Sequence, residues 1–463
     1  MVEKAGGMQA YVRVLALAAG DAVCMFAVWA FNVWLYWAVG IASYPEGPSA
    51  YLDFWPAITA FIALNAAFRL YNGNPLHPAA PVPPVEELRR LVASAALTHV
   101  GVIAYIALSQ QSIVGVSRFV IVMSGVLVAL VAQPVRDCSR QIMHSLRVGR
   151  IPVLFAGSGD AADRLVGFLA SDSYTGFHIV RRFGADELGE VAPAAGRLGV
   201  RTLVVCLDIR MLQCRMEEFA KHFTHVEYVV PSKTFPVLGA KAVSFGGTGG
   251  LEMVNRRLMK LPRIEKFALD KFLAFLAFAV SIPVFVAIPI LIKLTSKGPV
   301  FYRQKRIGFN GRPFMVWKFR SMHADADARL DRILSENPAA RSEWESSFKL
   351  KDDPRVTPFG RLLRKTSLDE LPQLFNVFSG EMALIGPRPI IDDEVRYYGD
   401  AYKTFSSVKP GITGLWQVSG RSDTDYAQRV ALDTYYVLNW SPWLDLWILV
   451  RTAFAVLLMR GAR

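Results

Sequence analysis

The sequence predicts a membrane α-helical bundle of four spanning helices, a Rossmann-like α/β domain, and a membrane-associated, mainly α domain with a re-entrant broken helix. Three observations predict it. Nearly uncharged runs fill most of the first 145 residues. A strand-like run, a Gly-rich turn and a helical pattern follow one another from Ile151. A last uncharged run, Phe272 to Ile292, carries two prolines and lysines on both flanks. The expected divisions are 1–145, 146–250 and 251–463, with the re-entrant helix near 267–294.

The runs have to account for a 463-residue chain that is 52% hydrophobic, which excludes a disordered, collagen-like or small disulfide-stapled protein. Its four cysteines, Cys24, Cys138, Cys206 and Cys214, show no metal-ligand spacing and suit a reducing compartment. The net charge of +13 calls for anionic partners. Of the 52 Lys and Arg residues, 32 lie beyond residue 250, against 22 of the 39 acidic residues, so the anionic ligand is expected there.

Val14 to Gly40 contains one charge, Asp21, and exceeds the roughly 20 helical residues that cross a bilayer core of about 30 Å. It continues through Trp29, Trp34 and Trp37 without a cleavage-type end, so it reads as a span and not a signal peptide. Phe54 to Phe68, Leu91 to Val116 and Phe119 to Val135 are the other candidates. The connections 41–53 and 110–117 lack Lys and Arg, whereas Lys4, Arg13, Arg89, Arg90, Arg136, Arg140, Arg147 and Arg150 mark the other side as cytoplasmic. Asp21, as an intramembrane charge, is either a functional group or a packing partner within the bundle.

Ile151 to Ala156, then Gly157-Ser158-Gly159-Asp160-Ala161-Ala162 and a helix from Asp163 to Leu169, match the start of a dinucleotide-binding unit. Further strands are expected at Thr202 to Leu207 and Val226 to Val230. No acidic residue closes a clear second strand about 20 residues on, which favours a structural module over nucleotide binding. Phe245 to Gly250 reads as a flexible loop and domain boundary, because no Gly-Lys-Ser/Thr follows it.

In the last part, Lys266, Lys271, Lys293 and Lys297 on both flanks argue against crossing at 272–292. Pro283 and Pro289 each remove a helix hydrogen bond, so a helix that enters and returns is expected, broken at Pro283. Arg303, Lys305, Arg306, Lys318 and Arg320 interleave with aromatics, which suits a solvated strand, a nucleic-acid surface or a membrane-surface belt that gathers phosphates. Asp369 and Glu370 lie between cationic clusters, and a carboxylate pair there repels a polyanionic strand. That disfavours nucleic acid and favours metal-assisted phosphate chemistry. Asp369 has the short carboxylate suited to attack phosphorus, and Glu370 to orient a metal or an acceptor. The bland alternative is a helix N-terminal charge pair capped by Ser367. Trp440-Ser441-Pro442-Trp443 opens a helix whose apolar positions fit either an interfacial amphipathic helix or a core helix.

Five ordered blocks then carry a resemblance: Lys318-Phe319-Arg320-Ser321-Met322, Arg364 through Val377, Gly386-Pro387-Arg388-Pro389, Lys409 through Val418, and Gly420-Arg421. Residues 266–463 resemble the bacterial initiating sugar transferases, the polyprenyl-phosphate hexose-1-phosphate transferases. The four-helix start and α/β middle resemble the long form of that family. The insertion from Glu343 to Arg355 resembles its galactose branch, undecaprenyl-phosphate galactose phosphotransferase. Small members often have Ser before the breaking proline, where this chain has Ile282.

The resemblance implies a catalytic third domain that takes a UDP-hexose, releases UMP and passes the phospho-sugar to undecaprenyl phosphate, the first membrane step of O-antigen, capsule or exopolysaccharide assembly. It implies Asp369 as nucleophile and metal contact, Glu370 as assistant, Arg388 at donor phosphate or uridine, and Lys318, Arg364 and Arg421 as further anion contacts. Mg²⁺ as cofactor, membrane lipids and a second copy in a homodimer as partners, no nucleic acid, and an active site on the cytoplasmic face of the bacterial inner membrane complete the expectation. The competing reading is a non-catalytic membrane scaffold or nucleotide sensor.

Overall fold

Hydrophobic length decides the first 150 residues. A computed structural model of the chain describes residues 2–39, 55–71, 82–108, 117–213, 215–230, 241–245, 248–252, 260–323, 325–337, 341, 353–419 and 426–457. Contacts divide it into two units, Met1–Phe235 and Pro236–Arg463.

The first unit begins with α1 (Val2–Ala38), α2 (Pro56–Ala67), α3 (Pro84–Leu108) and α4 (Arg118–Ser145). Each packs on its sequence neighbour and α4 returns against α1, around a core that includes Met25, Phe61, Leu91 and Ile121. The portion Tyr11–Ala38 of α1, with α3 and α4, is long and apolar enough to cross a bilayer. Over the expected second span the described helix α2 has 12 residues, about 18 Å, shorter than a core of about 30 Å and shorter than the other three. The fourth helix that meets the length criterion is instead Lys260–Thr295 in the second unit.

Asp21 is a packing partner. It is fully buried and accepts a bond from Arg136 Nε at 2.8 Å on Oδ1, and from Asn65 Nδ2 at 3.0 Å, Arg136 Nη2 and the Tyr71 hydroxyl on Oδ2. Arg136 also reaches Glu87 at 3.0 Å, and Arg140 reaches Glu87 at 2.6 Å. Two acids and two arginines from three helices therefore neutralise one another inside the bundle, as buried charges must. The Tyr174 hydroxyl, 2.7 Å from Glu87, ties the α/β section to this network.

That section comprises β1 (Ile151–Gly157), α5 (Asp160–Ser171), β2 (Phe177–Phe183), α6 (Leu188–Leu198), β3 (Thr202–Cys206), α7 (Ile209–Gln213), α8 (Met216–His222) and β4 (His225–Tyr228). The strands form one parallel sheet in the order β2-β1-β3-β4. The strand β2 was not expected. Asp186 and Glu187 follow it, so acidic residues do close the second strand, but Glu187 accepts the Gly184 N–H of its own turn at 3.0 Å.

In the second unit, β5 (Lys241–Phe245) and β6 (Thr248–Glu252) form an antiparallel hairpin, which corrects the flexible-loop reading of 245–250. Then come α9 (Lys260–Thr295), β7 (Phe301–Ile307), β8 (Pro313–Phe319) and α10 (Ala326–Glu336). After them lie α11 (Pro358–Lys365), a 3₁₀ turn (Leu368–Glu370), α12 (Gln373–Ser379), β9 (Ala383–Ile385), α13 (Val395–Tyr398) and α14 (Ala401–Ser406). The chain closes with β10 (Gly411–Thr413), α15 (Leu415–Ser419), α16 (Tyr426–Asn439) and α17 (Pro442–Leu457).

Helix α9 holds Pro283 and Pro289 inside one helical segment. Near Pro283 the Ser281 hydroxyl bonds the Ala277 and Phe278 carbonyls at 2.7 and 3.1 Å, a local supplement where proline cannot donate. One face of α9 packs along its length on the rest of the unit. Lys266 bonds Asp270, Asp445 and the Ile385 carbonyl, Phe278 and Phe285 stack near Phe375, and Ile288 and Ile292 join Phe319 and Leu363. The opposite face leaves Phe272, Phe275, Val280, Val286, Ile290 and Leu294 exposed. Of the two readings offered for the helix after Trp440, α17 is a core helix: its Leu444, Trp447 and Ile448 are buried in protein.

Candidate active site

The site is assembled on the turn between α11 and α12. Thr357 caps α11, accepting the Gly360 N–H at 2.9 Å. Gly360 is required there because a Cβ would lie 1.9 Å from the Ser321 carbonyl oxygen. Ser367 then takes φ +57°, and its side chain does not cap the turn, so the expected Ser367 cap is absent. The left-handed residue bends the chain so that Leu368–Glu370 form a single 3₁₀ turn. Asp369 is buried in it and Glu370 half-buried.

The two carboxylates differ as their surroundings dictate. Glu370 accepts a bond from Lys318 Nζ at 2.7 Å. Burial pushes its pKa up, but the charges of Lys318 and Arg388 outweigh burial and hold it below the usual range. Asp369 makes no ion pair among the described residues. Burial, with the Glu370 charge adding to it against Lys318 and Arg364, pushes its pKa up to about 6.

The strand that carries Lys318 is pinned by Asn376, fully buried, which accepts the Trp317 N–H at 3.0 Å and donates to the Met315 carbonyl at 2.8 Å. Along the same motif, Arg320 bonds Ser296 at the end of α9, and the Ser321 hydroxyl accepts from Arg364 at 3.0 Å. Arg364 thus has a structural partner and also acts on Asp369 by charge.

Two further motifs meet backbone to backbone. A Cβ on Gly411 would lie 2.1 Å from the Gly386 nitrogen, and one on Gly414 2.3 Å from the Gly386 oxygen. Only glycine lets these loops cross, and the Gly411 N–H bonds the Pro387 carbonyl at 2.8 Å. The crossing places the Arg388 guanidinium 5.8 Å from the Trp416 ring centre. Arg421 and most of the 343–355 insertion lie outside the described residues.

Arg306, Arg429 and Glu394 received no role from the sequence. Arg429 and Arg306 flank Glu394 at 3.2 and 3.6 Å, and Arg429 stacks on Trp416 and Tyr426 at 4.9 Å from each ring centre. Burial, then the Arg388 charge, lower the Arg306 pKa to about 10. Arg306 belongs to the basic run noted above; no pattern in the sequence marks Arg429, which sits inside an ordinary helix.

A buried carboxylate that makes no ion pair among the described residues and feels the charges of Lys318 and Arg364 suits a group that attacks an anionic phosphorus centre. Residues 261–459 match the family model described as bacterial sugar transferase. The chain is 35% identical over 366 residues to undecaprenyl-phosphate galactose phosphotransferase of Salmonella typhimurium, covering 75% of this chain and 76% of that one. It is 34% identical to UDP-galactose-lipid carrier transferase of Erwinia amylovora, covering 75% and 76%. With UDP-glucose:undecaprenyl-phosphate glucose-1-phosphate transferase of Escherichia coli it shares 37% identity over 48% of this chain and 46% of that one. An acidic turn built from the matched motifs, within a chain this similar along three quarters of its length, identifies an enzyme: the chain belongs to the bacterial sugar transferase family, as a phosphoglycosyl transferase.

Proposed function

We propose that the enzyme transfers galactose-1-phosphate from UDP-galactose to undecaprenyl phosphate, through a phospho-sugar held on Asp369. The observation that carries this reading is the contrast between Asp369, buried and without an ion pair, and Glu370, neutralised by Lys318. A carboxylate shifted up to about 6 is ionised at neutral pH and more basic than an ordinary aspartate. Its oxygen attacks the β-phosphorus, the bond from that phosphorus to the oxygen of UMP breaks, and UMP leaves. The undecaprenyl phosphate oxygen then attacks the same phosphorus and the bond to Asp369 breaks. Arg388 and Lys318 offset diphosphate charge, and Glu370 positions the acceptor.

Among the described residues no group of three potential metal ligands occurs. Mg²⁺ often uses one or two carboxylates together with substrate phosphates and water, a donor set that Asp369 fits. Bound there, Mg²⁺ would withdraw charge from the diphosphate.

A re-entrant α9 and an active site on the cytoplasmic face of the inner membrane belong to the same reading. Residues from Lys266 to Ile292 all pack on one unit while the outer face stays apolar, as expected of a helix that dips into one leaflet. In a chain without its native cysteines, Leu261→Cys and Lys297→Cys should both resist an impermeant thiol reagent added to intact cells. Labelling at 297 alone would show that α9 crosses. The strand order of the parallel sheet and its Gly turn support a Rossmann-like unit.

The function is tested by UMP release from purified full-length enzyme with undecaprenyl phosphate, Mg²⁺ and a panel of UDP-sugars. UDP-galactose should exceed UDP-glucose at least about tenfold in kcat/KM, since a site that bonds the axial hydroxyl leaves polar groups unpaired with the epimer. Equal rates would remove the galactose assignment and leave the transfer chemistry standing. Absence of UMP with every sugar would remove the function.

A further inference from the structure

A cavity of about 320 Å³ lies within the first unit, where the helix bundle meets the α/β section. Arg13 of α1, His144 in the last turn of α4, Arg150 just before β1 and His178 of β2 line it, and no acidic side chain does. Arg13 is held by the carbonyls of Ser173 and Tyr174. Asp172 and Glu87 act on its charge, but both are engaged: Asp172 by the N–H groups of Tyr174 and Thr175, Glu87 by Arg136, Arg140 and Tyr174. The side chains of Arg150, His144 and His178 form no hydrogen bond or ion pair among the described residues. A half-enclosed hollow with four basic side chains and no counter-charge is an anion site.

Its other wall is apolar, including Val166, Leu169 and Phe177. Arg13 is two residues from the start of the Tyr11–Ala38 span and His144 one residue from the end of α4. The cavity therefore lies at the end of the bundle that carries Arg140, Arg147 and Arg150. It also lies at the amino ends of β1 and β2, away from the Gly157–Gly159 turn at the carboxyl end of β1, where a nucleotide would bind an α/β sheet.

We propose that this cavity binds a phosphate anion, with the apolar wall covering the first carbons of a lipid that bears it. The source is an anionic membrane lipid or soluble phosphate, and one experiment separates them. Purified full-length protein in zwitterionic micelles is titrated with acyl-labelled phosphatidic acid and with identically labelled phosphatidylcholine. The wild type should bind phosphatidic acid in preference. Arg150→Gln with His178→Gln, which removes no described bond, should weaken that binding at least about tenfold and leave phosphatidylcholine unchanged. Arg197→Gln, an exposed arginine on α6, should leave it unaltered. Full displacement by excess inorganic phosphate would support the site with a soluble source, and resistance would support the lipid. Equal binding of the two lipids by the wild type overturns the proposal, and so does a double variant that binds as the wild type or no worse than Arg197→Gln.

Discussion

Asp369→Asn is expected to reduce UMP release to about a hundredth of wild type or less, with the melting temperature unchanged. The amide keeps the volume of the carboxylate and loses its nucleophilic oxygen. Stability should hold because Asp369 makes no ion pair among the described residues and its charge is disfavoured by burial, so neutralising it breaks no described contact. Turnover above a few per cent would sink the covalent role. Glu370→Gln separates the two half-reactions: it should slow turnover severely yet still accumulate a phospho-sugar on Asp369, read by intact-protein mass spectrometry with UDP-galactose alone.

The second large effect concerns folding. Arg136→Leu should destabilise the first unit by about 3–5 kcal/mol, because the fully buried Asp21 loses its cation and Glu87 keeps only Arg140. Thermal unfolding of the detergent-solubilised chain, followed by loss of monodisperse protein, measures it. Asp21→Asn added to Arg136→Leu should recover part of the loss, since the stranded charge is then gone. A double variant no better than the single one would show that packing, and not charge, holds this corner.

What could be read from the sequence was what a solvent imposes. Lipid demands length without charge, so α1, α3 and α4 were legible, whereas the described helix in Phe54 to Phe68 is only 12 residues, because Pro56 opens it and Arg69 takes a left-handed conformation just after its end. The strand β2 was missed because its apolar residues Phe177 and Ile179 alternate with polar ones and Arg181 and Arg182 follow, as suits an edge strand. The 245–250 hairpin was missed because glycine is a poor strand former and pairing alone makes it one. In the site, Asp369, Glu370 and Lys318 converge through contiguous motifs that could be recognised. The Arg306, Glu394 and Arg429 cluster joins residues more than 30 positions apart without a shared motif, so only the folded chain reveals it. The network that holds Asp21 is of the same kind: Asp21 stood out as a lone charge, but its partner 115 residues away did not.

The exposed apolar face of α9 also sets the dimensionality of the encounter. Phe272, Val286 and Leu294 need hydrocarbon around them, and Phe375, on the helix that follows the acidic turn, stacks on Phe285 of the same α9. On the proposed reading of α9 as a helix that dips into one leaflet, the acidic turn is held at a fixed depth relative to the bilayer surface. A reactant dissolved in the membrane reaches it by lateral diffusion in a plane, whereas one dissolved in water arrives through the bulk. The two are then governed by different concentrations, one per area and one per volume. Diluting the membrane with inert lipid should slow only the half-reaction that uses the lipid phosphate.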